Sequence, residues 1–131
     1  MIRGSCLCGA VAYEAAGLAG PVVHCHCRTC QKAHSAAFAT TARVERADFR
    51  WTSGDGVRAS IESTPGKLRH FCPRCGSHLM AEWRDAPQVI LRIASVDAGL
   101  AAQPVAHIWT SQAATWDLGR DDLPRYPQGL P

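Results

Sequence analysis

Short apolar runs separated by turn residues extend along most of the chain. The runs cover residues 10–13, 21–24, 36–44, 49–51, 68–71, 78–83, 89–96 and 107–109. Glycine- and proline-containing turn segments lie between them, at 17–21, 53–56, 64–66, 85–87 and 103–104. This spacing is typical of strands joined by tight connections, so the pattern predicts an all-β fold of antiparallel sheets with minimal helix.

Helix is expected in two places only. One turn is predicted at residues 28–33, and another near 111–114, where Ser111 could serve as the N-cap. No repeat or linker divides the chain, so residues 1–131 are expected to form one domain. Three prolines in residues 121–131 predict an irregular tail.

Length and composition allow an ordinary hydrophobic core. The chain has 131 residues, of which 47% are hydrophobic, and a domain of this size buries roughly two thirds of its unfolded surface. A metal site would therefore not be needed to replace a missing core, and it could serve chemistry as well as stability. No apolar stretch is long enough to span a bilayer, so we expect a cytoplasmic protein without a membrane partner.

The formal net charge of +3 counts all seven cysteines as neutral. In a reducing compartment, an odd number of cysteines indicates metal ligation rather than a disulfide framework. A zinc ion held by four thiolates has a net charge of about −2, and one held by three has about −1, which would bring the total close to zero. A nucleic-acid partner is therefore not expected from charge.

The cysteines fall into three clusters. In the third, Cys72 and Cys75 belong to a C-x-x-C-G turn that places two sulfurs on one side of a tight loop. A tetrahedral four-cysteine site needs a second pair, which Cys6 and Cys8 would supply, so this closed site would tie the start of the chain to its middle.

The remaining cluster, Cys25, Cys27 and Cys30, is one ligand short of a closed tetrahedron. Catalytic zinc commonly keeps three protein ligands and leaves the fourth position to water or substrate. Because three thiolates donate heavily to the metal, a soft thiol suits the fourth position better than a water molecule to be activated. Coordination would deprotonate that thiol at neutral pH.

Other interpretations of these cysteines remain open. A histidine, namely His24, His26 or His34, could close the second site and make both ions structural. A redox cluster at residues 25–30 is another interpretation, although no βαβ pattern accompanies it. Buried cysteines that act only as small apolar residues are a third.

The sequence resembles the glutathione-dependent formaldehyde-activating family. The similarity rests on GSCLCGAV at 4–11, CHCRTCQK at 25–32, PGK at 65–67, FCPRCGS at 71–77 and HIW at 107–109. These motifs follow one another in the family's order, from about residue 4 to residue 116. All seven cysteines fall where the family has them.

The resemblance implies a zinc-stabilised β fold of the beta-tent type with two zinc ions. It assigns Cys6, Cys8, Cys72 and Cys75 to a structural zinc and Cys25, Cys27 and Cys30 to a catalytic zinc. The implied activity is that of a carbon–sulfur lyase, in which glutathione and formaldehyde combine to S-(hydroxymethyl)glutathione. The chain is shorter than the family's namesake, so its thiol and aldehyde could differ from these.

Some relatives have binding roles, so a non-catalytic zinc-stabilised module for a protein or nucleic acid is the alternative function. The two observations that separate the functions are an open second metal site inside a cavity and a histidine-closed site beneath a flat basic face. The sequence is also compatible with a homodimer.

Further side chains are candidates for substrate contact. Glutathione carries two carboxylates, so a site for it should offer cations. Four cations lie near the cysteine clusters in sequence, namely Arg28, Lys32, Lys67 and Arg69. Solvated surface positions are the favoured interpretation for all four. Alternation places His107 and Trp109 on one strand face; packing is predicted for Trp109 and Trp116, and a weaker acid–base or substrate role for His107. His26 is expected to point to solvent.

Overall fold

The computed structural model describes residues 1–131 and contains eleven strands and one short α-helix. In chain order the elements are β1 (Ile2–Ser5), β2 (Ala12–Ala15), β3 (Val22–Cys25), α1 (Arg28–His34), β4 (Ala39–Glu45), β5 (Phe49–Ser53), β6 (Ala59–Thr64), β7 (Lys67–Phe71), β8 (His78–Trp83), β9 (Gln88–Arg92), β10 (Val96–Ala98) and β11 (Pro104–Ile108). The prediction of an all-β fold with minimal helix is confirmed. No helix has the length and apolar character needed to cross a membrane.

The strands form two sheets. One has four strands in the order β10-β1-β2-β5, and the other has seven in the order β11-β3-β4-β9-β8-β7-β6. Every pairing is antiparallel except that of β11 with β3, which is parallel. The expectation of antiparallel sheets therefore holds with this one exception.

The main core lies between the two sheets. Tyr13 and Ala15 alternate inward from the four-stranded sheet, and Val89 and Leu91 do so from the seven-stranded sheet. The hydroxyl of Tyr13, whose ring is buried, hydrogen-bonds Ser95 at 2.8 Å. Strand alternation thus places one face of the seven-stranded sheet in the core and leaves its other face to carry α1 and a separate site.

Two strands were not predicted from the apolar pattern. Strand β1 is only four residues long, and β6 has a single large apolar residue, Ile61, which is exposed at the edge of its sheet. The predicted strand at 89–96 instead divides into β9, a 3₁₀ turn and β10, and β10 pairs in the other sheet. This segment therefore connects the two layers.

The helical predictions differ in outcome. The turn predicted at 28–33 is helix α1, and the sulfur of Cys27 caps it by accepting the N–H of Cys30. A 3₁₀ turn covers Thr110–Gln112, but Ser111 lies inside it and caps nothing. The predicted Ser111 N-cap is wrong because Trp109, with a φ of 56°, turns the chain two residues earlier and is the N-cap.

Residues 121–131 contain no helix and only an isolated bridge, from Arg125 to His107. They nevertheless lie along the free edge of β11. The N–H of His107 donates to the Pro124 carbonyl at 2.8 Å, and the N–H of Trp109 donates to that of Gln128 at 2.9 Å. The irregular tail covers an edge that would otherwise expose unpaired backbone groups.

Candidate metal centres and the adjoining cavity

The first cysteine group joins the two sheets. Its sulfurs, from Cys6, Cys8, Cys72 and Cys75, all lie within 4.8 Å of one another. The Sγ atom of Cys8 is 3.6 Å from that of Cys6 and 3.8 Å from that of Cys72. A tetrahedron with metal–sulfur bonds of about 2.3 Å has sulfurs about 3.8 Å apart, so the four donors fit a zinc-sized ion.

Tight turns position these sulfurs. Gly9 and Gly76 follow the two cysteine pairs with φ angles of 81° and 82°, in the left-handed region that glycine adopts without strain. The N–H of Val11 donates to the Cys6 sulfur at 3.3 Å. Hydrogen bonds from the Ser77 hydroxyl and backbone lower the pKa of Cys75 to about 5, which favours the thiolate that a metal requires.

This group connects distant parts of the chain. Cys6 and Cys8 follow β1 in the four-stranded sheet, whereas Cys72 and Cys75 lie between β7 and β8 in the seven-stranded sheet. Cys6 and Cys72 are also buried members of the main core. The sequence-based expectation that the two pairs meet is confirmed, and the group offers four protein donors.

The second group lies where β3 passes into α1. Cys25 ends β3, Cys27 caps α1 and Cys30 lies in its first turn, and their sulfurs are within 4.8 Å of one another. The thiols of Cys25 and Cys30 hydrogen-bond the Cys27 sulfur and hold the pKa of Cys27 far below its usual range. The Thr29 hydroxyl lies 3.2 Å from the same sulfur. The group could hold one metal ion through three donors.

No histidine nitrogen joins these three sulfurs within the same distance. His24 hydrogen-bonds Thr40 at 2.8 Å through Nδ1, and His26 meets Nδ1 of His107 at 2.7 Å through Nε2. His34 lies at the far end of α1. In this structure the second group is therefore not completed as a Cys₃His site by any of the three candidate histidines.

The position predicted for His26 is wrong, because its side chain is fully buried. It belongs to a chain of polar groups: the Nε2 atom of His107 lies 2.8 Å from the Asp121 carboxylate, while His107 Nδ1 meets His26. The hydrogen bond from His107 lowers the pKa of Asp121. The tautomer of His107 that donates its Nε2–H to Asp121 presents Nδ1 as the acceptor for the Nε2–H of His26.

His107 and Trp109 do not share a strand face, because β11 ends at Ile108 and Trp109 adopts a left-handed conformation. His107 pairs with His24, whose side chain lies on the opposite face from the adjacent Cys25. Trp109 packs beside the second cysteine group, as predicted, whereas Trp116 is 68% exposed and does not pack as predicted.

A cavity of about 450 Å³ lies next to the second cysteine group, which it meets through Thr29 and Arg69, the side chains that contact the Cys27 and Cys30 sulfurs. It is lined by Arg28 and Thr29 at the first turn of α1 and by Ile61 and Phe71 from β6 and β7. Its nine lining residues are Arg28, Thr29, Lys32, Ala33, Ile61, Ser63, Arg69, Phe71 and His78. Three of the four cations considered from the sequence thus converge on one space.

The prediction that these cations are solvated surface residues is correct for two of them. Arg28 and Lys32 are exposed, whereas Arg69 is only 1% exposed. Arg69 donates to the Cys30 sulfur at 3.8 Å and to the Thr29 hydroxyl at 3.2 Å, so it belongs to the surroundings of the second group. Lys67 is partly buried, and its ammonium lies 5.4 Å from the centre of the Trp83 ring.

Two site residues were missed by the sequence interpretation. Gln31 is buried, and its amide donates to the His26 and Gln112 carbonyls at 2.7 and 2.8 Å, which fixes the cysteine loop against the 3₁₀ turn. Its place directly after Cys30 was the available signal. Arg92 is also buried near the second group, but it is remote in sequence from every cysteine and no local pattern marks it.

A family model described as glutathione-dependent formaldehyde-activating enzyme matches residues 1–112. A crystal structure of a Rhodobacter sphaeroides protein is similar in fold, with a TM-score of 0.64 over 95% of this chain and 98% of that chain. The two sequences are 20% identical, so this likeness bears on the fold alone. No curated protein matches the sequence.

Proposed function

The chain belongs to the glutathione-dependent formaldehyde-activating enzyme family, and from that premise we propose that it is a zinc-dependent carbon–sulfur lyase. It joins a glutathione-like thiol to a small aldehyde, or cleaves their S-hydroxymethyl adduct. The observation that carries this proposal is the group of Cys25, Cys27 and Cys30, which has three donors rather than four and lies beside a cavity.

The two cysteine groups have different roles in this proposal. Cys6, Cys8, Cys72 and Cys75 hold a structural zinc through a complete tetrahedral set, and Cys25, Cys27 and Cys30 hold the catalytic zinc. When bound at the second group, zinc supplies a Lewis-acidic position that stabilises a substrate thiol as its thiolate.

The reaction forms one carbon–sulfur bond. The substrate thiol loses its proton, its sulfur attacks the carbonyl carbon of the aldehyde, and the carbonyl π pair moves to oxygen. That oxygen takes up one proton to become the hydroxyl of the adduct, so overall the S–H bond is replaced by a C–S bond and an O–H bond. Cleavage is the reverse. Of the chain's own residues, Thr29 and Arg69 hold the cysteine sulfurs in place by hydrogen bonds, and Ile61 and Phe71 supply apolar surface to the cavity.

The cavity also supports a small-molecule substrate. Its volume of about 450 Å³ lies within the range of roughly 300–1,000 Å³ typical of ligand sites. The mixture of apolar and cationic walls suits a flexible acidic thiol. The seven cysteines are free thiols, which persist in a reducing compartment. We therefore place the proposed reaction in the cytoplasm.

The test is the rate of exchange between free formaldehyde hydrate and its glutathione adduct, measured by exchange NMR because the adduct also forms without a catalyst. Zinc-loaded protein should raise the exchange rate in proportion to its concentration, and Cys27→Ser should remove the increase. Arg50→Gln, on the exposed face of the four-stranded sheet, is the matched control and should keep it.

The alternative function predicts a different outcome. If the folded, zinc-loaded protein leaves the exchange rate unchanged for glutathione and for smaller thiols, the lyase proposal is wrong. A zinc-stabilised binding module would then be the better account of the same scaffold.

A further inference from the structure

The outer face of the seven-stranded sheet carries two buried arginines on the same side as Cys25. Arg69 on β7 pairs with Ala81 on β8, and Ala81 pairs with Ile90 on β9. Arg92 is two residues beyond Ile90 on the same strand. Arg92 pairs with Thr41 on β4, and Thr41 pairs with Val23 on β3. Cys25 is two residues beyond Val23 on β3. Directly opposed residues and residues two apart share a sheet face, so both guanidinium groups lie on the face of the second cysteine group.

Neither arginine has a carboxylate partner. The Nε atom of Arg69 donates to Ser63 at 2.8 Å, and its Nη atoms reach Thr29 and the Cys30 sulfur. Arg92 is 4% exposed, and its Nε and Nη2 atoms are enclosed without any hydrogen-bond partner. The sulfurs of the second cysteine group attract the charge of Arg92 but accept no hydrogen bond from its Nε or Nη2 atom. Burying a guanidinium without hydrogen-bond partners is costly, so this state indicates a further anion that completes it.

Two histidines lie beside the arginines with enclosed ring nitrogens of their own. Nε2 of His34 and Nδ1 of His78 have no partner, and the two ring centres are 5.0 Å apart. Burial, with the positive charges of Arg92 and Arg69 adding to it, lowers the pKa of His78 and brings that of His34 to about 3. Both rings are therefore neutral near pH 7, and each has one N–H to donate.

The local charge is strongly unbalanced. Three thiolates around a divalent ion carry a net charge of about −1, whereas Arg69, Arg92 and the nearby Lys67 carry three positive charges. No ion pair with an aspartate or glutamate offsets any of these three. Exposed Arg28 and Lys32 add further positive charge where the cavity meets solvent.

We propose that Arg69, Arg92, His34 and His78 form a binding site for one carboxylate next to the second cysteine group. Arg69 and His78 line the cavity, and Arg92 and His34 lie within electrostatic range of them. The site selects mercapto acids, in which an acidic group is a few bonds from the sulfur, over neutral thiols. This inference rests on the proposed function, because it assumes that a thiol enters beside Cys25, Cys27 and Cys30.

The test compares 3-mercaptopropionate with its neutral analogue 3-mercapto-1-propanol on cobalt-substituted protein, whose visible and near-ultraviolet absorption reports thiol coordination. Because the alcohol lacks the charged hydrogen bonds that the carboxylate accepts, the acid should bind about 10- to 150-fold more tightly. Arg92→Met should remove most of that preference, so that the ratio of the two affinities falls close to one. Arg43→Met, an exposed arginine on the adjoining strand, removes the same net charge and should keep the preference.

Two further measurements test the carboxylate site without depending on the proposed function. Since Arg92 is buried and unpaired, Arg92→Met should raise the melting temperature when no anion is present. Propionate, which has no thiol, should give a saturable calorimetric signal with the wild type and none with Arg92→Met.

The outcomes are distinct. Equal affinities for the two thiols, or propionate binding that Arg92→Met leaves intact, would overturn the carboxylate site. If neither thiol alters the cobalt spectrum, the proposed function fails, and the propionate experiment then decides on the carboxylate site alone.

Discussion

At the scale of single residues, the second cysteine group depends on side chains whose burial leaves them poorly hydrated. Arg69 and Arg92 are almost fully enclosed, and His34 and His78 have unpartnered ring nitrogens. Such groups lower the free energy of unfolding unless a ligand completes them. Their concentration beside Cys25, Cys27 and Cys30 is what a site that binds an anionic substrate would require.

The titration of His34 gives a prediction at this scale. Burial lowers its pKa from 6.5 to about 3 in the folded chain, so the unfolded chain binds the proton first as the pH falls. The stability due to neutral His34 is therefore fully present above pH 6.5 and is lost progressively toward pH 3. His34→Gln should make the loss of stability between pH 6.5 and 5.5 less steep, by at most about 1.4 kcal/mol per pH unit, less with solvent screening.

Urea unfolding of the zinc-saturated protein at several pH values in this range measures that slope. Identical slopes for the wild type and His34→Gln would contradict the burial of an uncharged His34.

The cysteines were predictable from sequence, whereas their surroundings were not. Ligand chemistry requires thiols at short, defined spacings, so Cys72 and Cys75 could be recognised locally. The burial of His26 and Arg69 depends on strands that pair only in the folded chain, and composition favours exposure for such residues. Arg92 shows the limit most clearly, because only the register of β9 with β4 brings it to the site.

At the scale of elements, strand pairing depends on close contacts that the apolar pattern does not reveal. Strand β1 was not predicted, yet it lies between β2 and β10 and leads directly into the first cysteine pair. Gly4 in this strand lies under the Tyr13 ring, where an added Cβ would overlap the ring and approach the Ser95 carbonyl to 2.7 Å. Helix and strand type could be predicted from periodicity, but these contacts required the pairing itself.

Gly4→Ala should therefore lower the free energy of unfolding by about 1–3 kcal/mol, because β1 or the Tyr13 ring must move. Gly17→Ala is the matched control, since a Cβ there meets no atom within 4 Å. Chemical denaturation measures both variants. A Gly4→Ala protein as stable as Gly17→Ala would show that β1 does not pack on Tyr13 in this way.

At the scale of the whole molecule, the two cysteine groups differ in what they connect. The first joins the two sheets through residues far apart in sequence, whereas the second closes only the short segment between β3 and α1. The separation of the groups followed from sequence spacing alone. The position of each group relative to the two sheets could not be predicted. The apolar runs do not show that β10 and β1 belong to a different sheet from the other strands.

Loss of one ligand should therefore have unequal effects. Cys72→Ser should lose one zinc and the cooperative fold, because structural zinc contributes about 10 kcal/mol and total stability is about 5–15 kcal/mol. Cys27→Ser should lose the other zinc and stay folded. Circular dichroism melts with metal analysis measure both changes, and equal unfolding of the two variants would contradict the division.

The zinc content of the intact chain, measured by native mass spectrometry before and after addition of glutathione or a mild chelator, shows whether Cys25, Cys27 and Cys30 hold an accessible zinc. We expect two zinc ions, one that resists both reagents and one that the chelator removes or that gains a bound glutathione. Two ions that resist both reagents equally would contradict an accessible zinc at Cys25, Cys27 and Cys30, and the proposed lyase function with it.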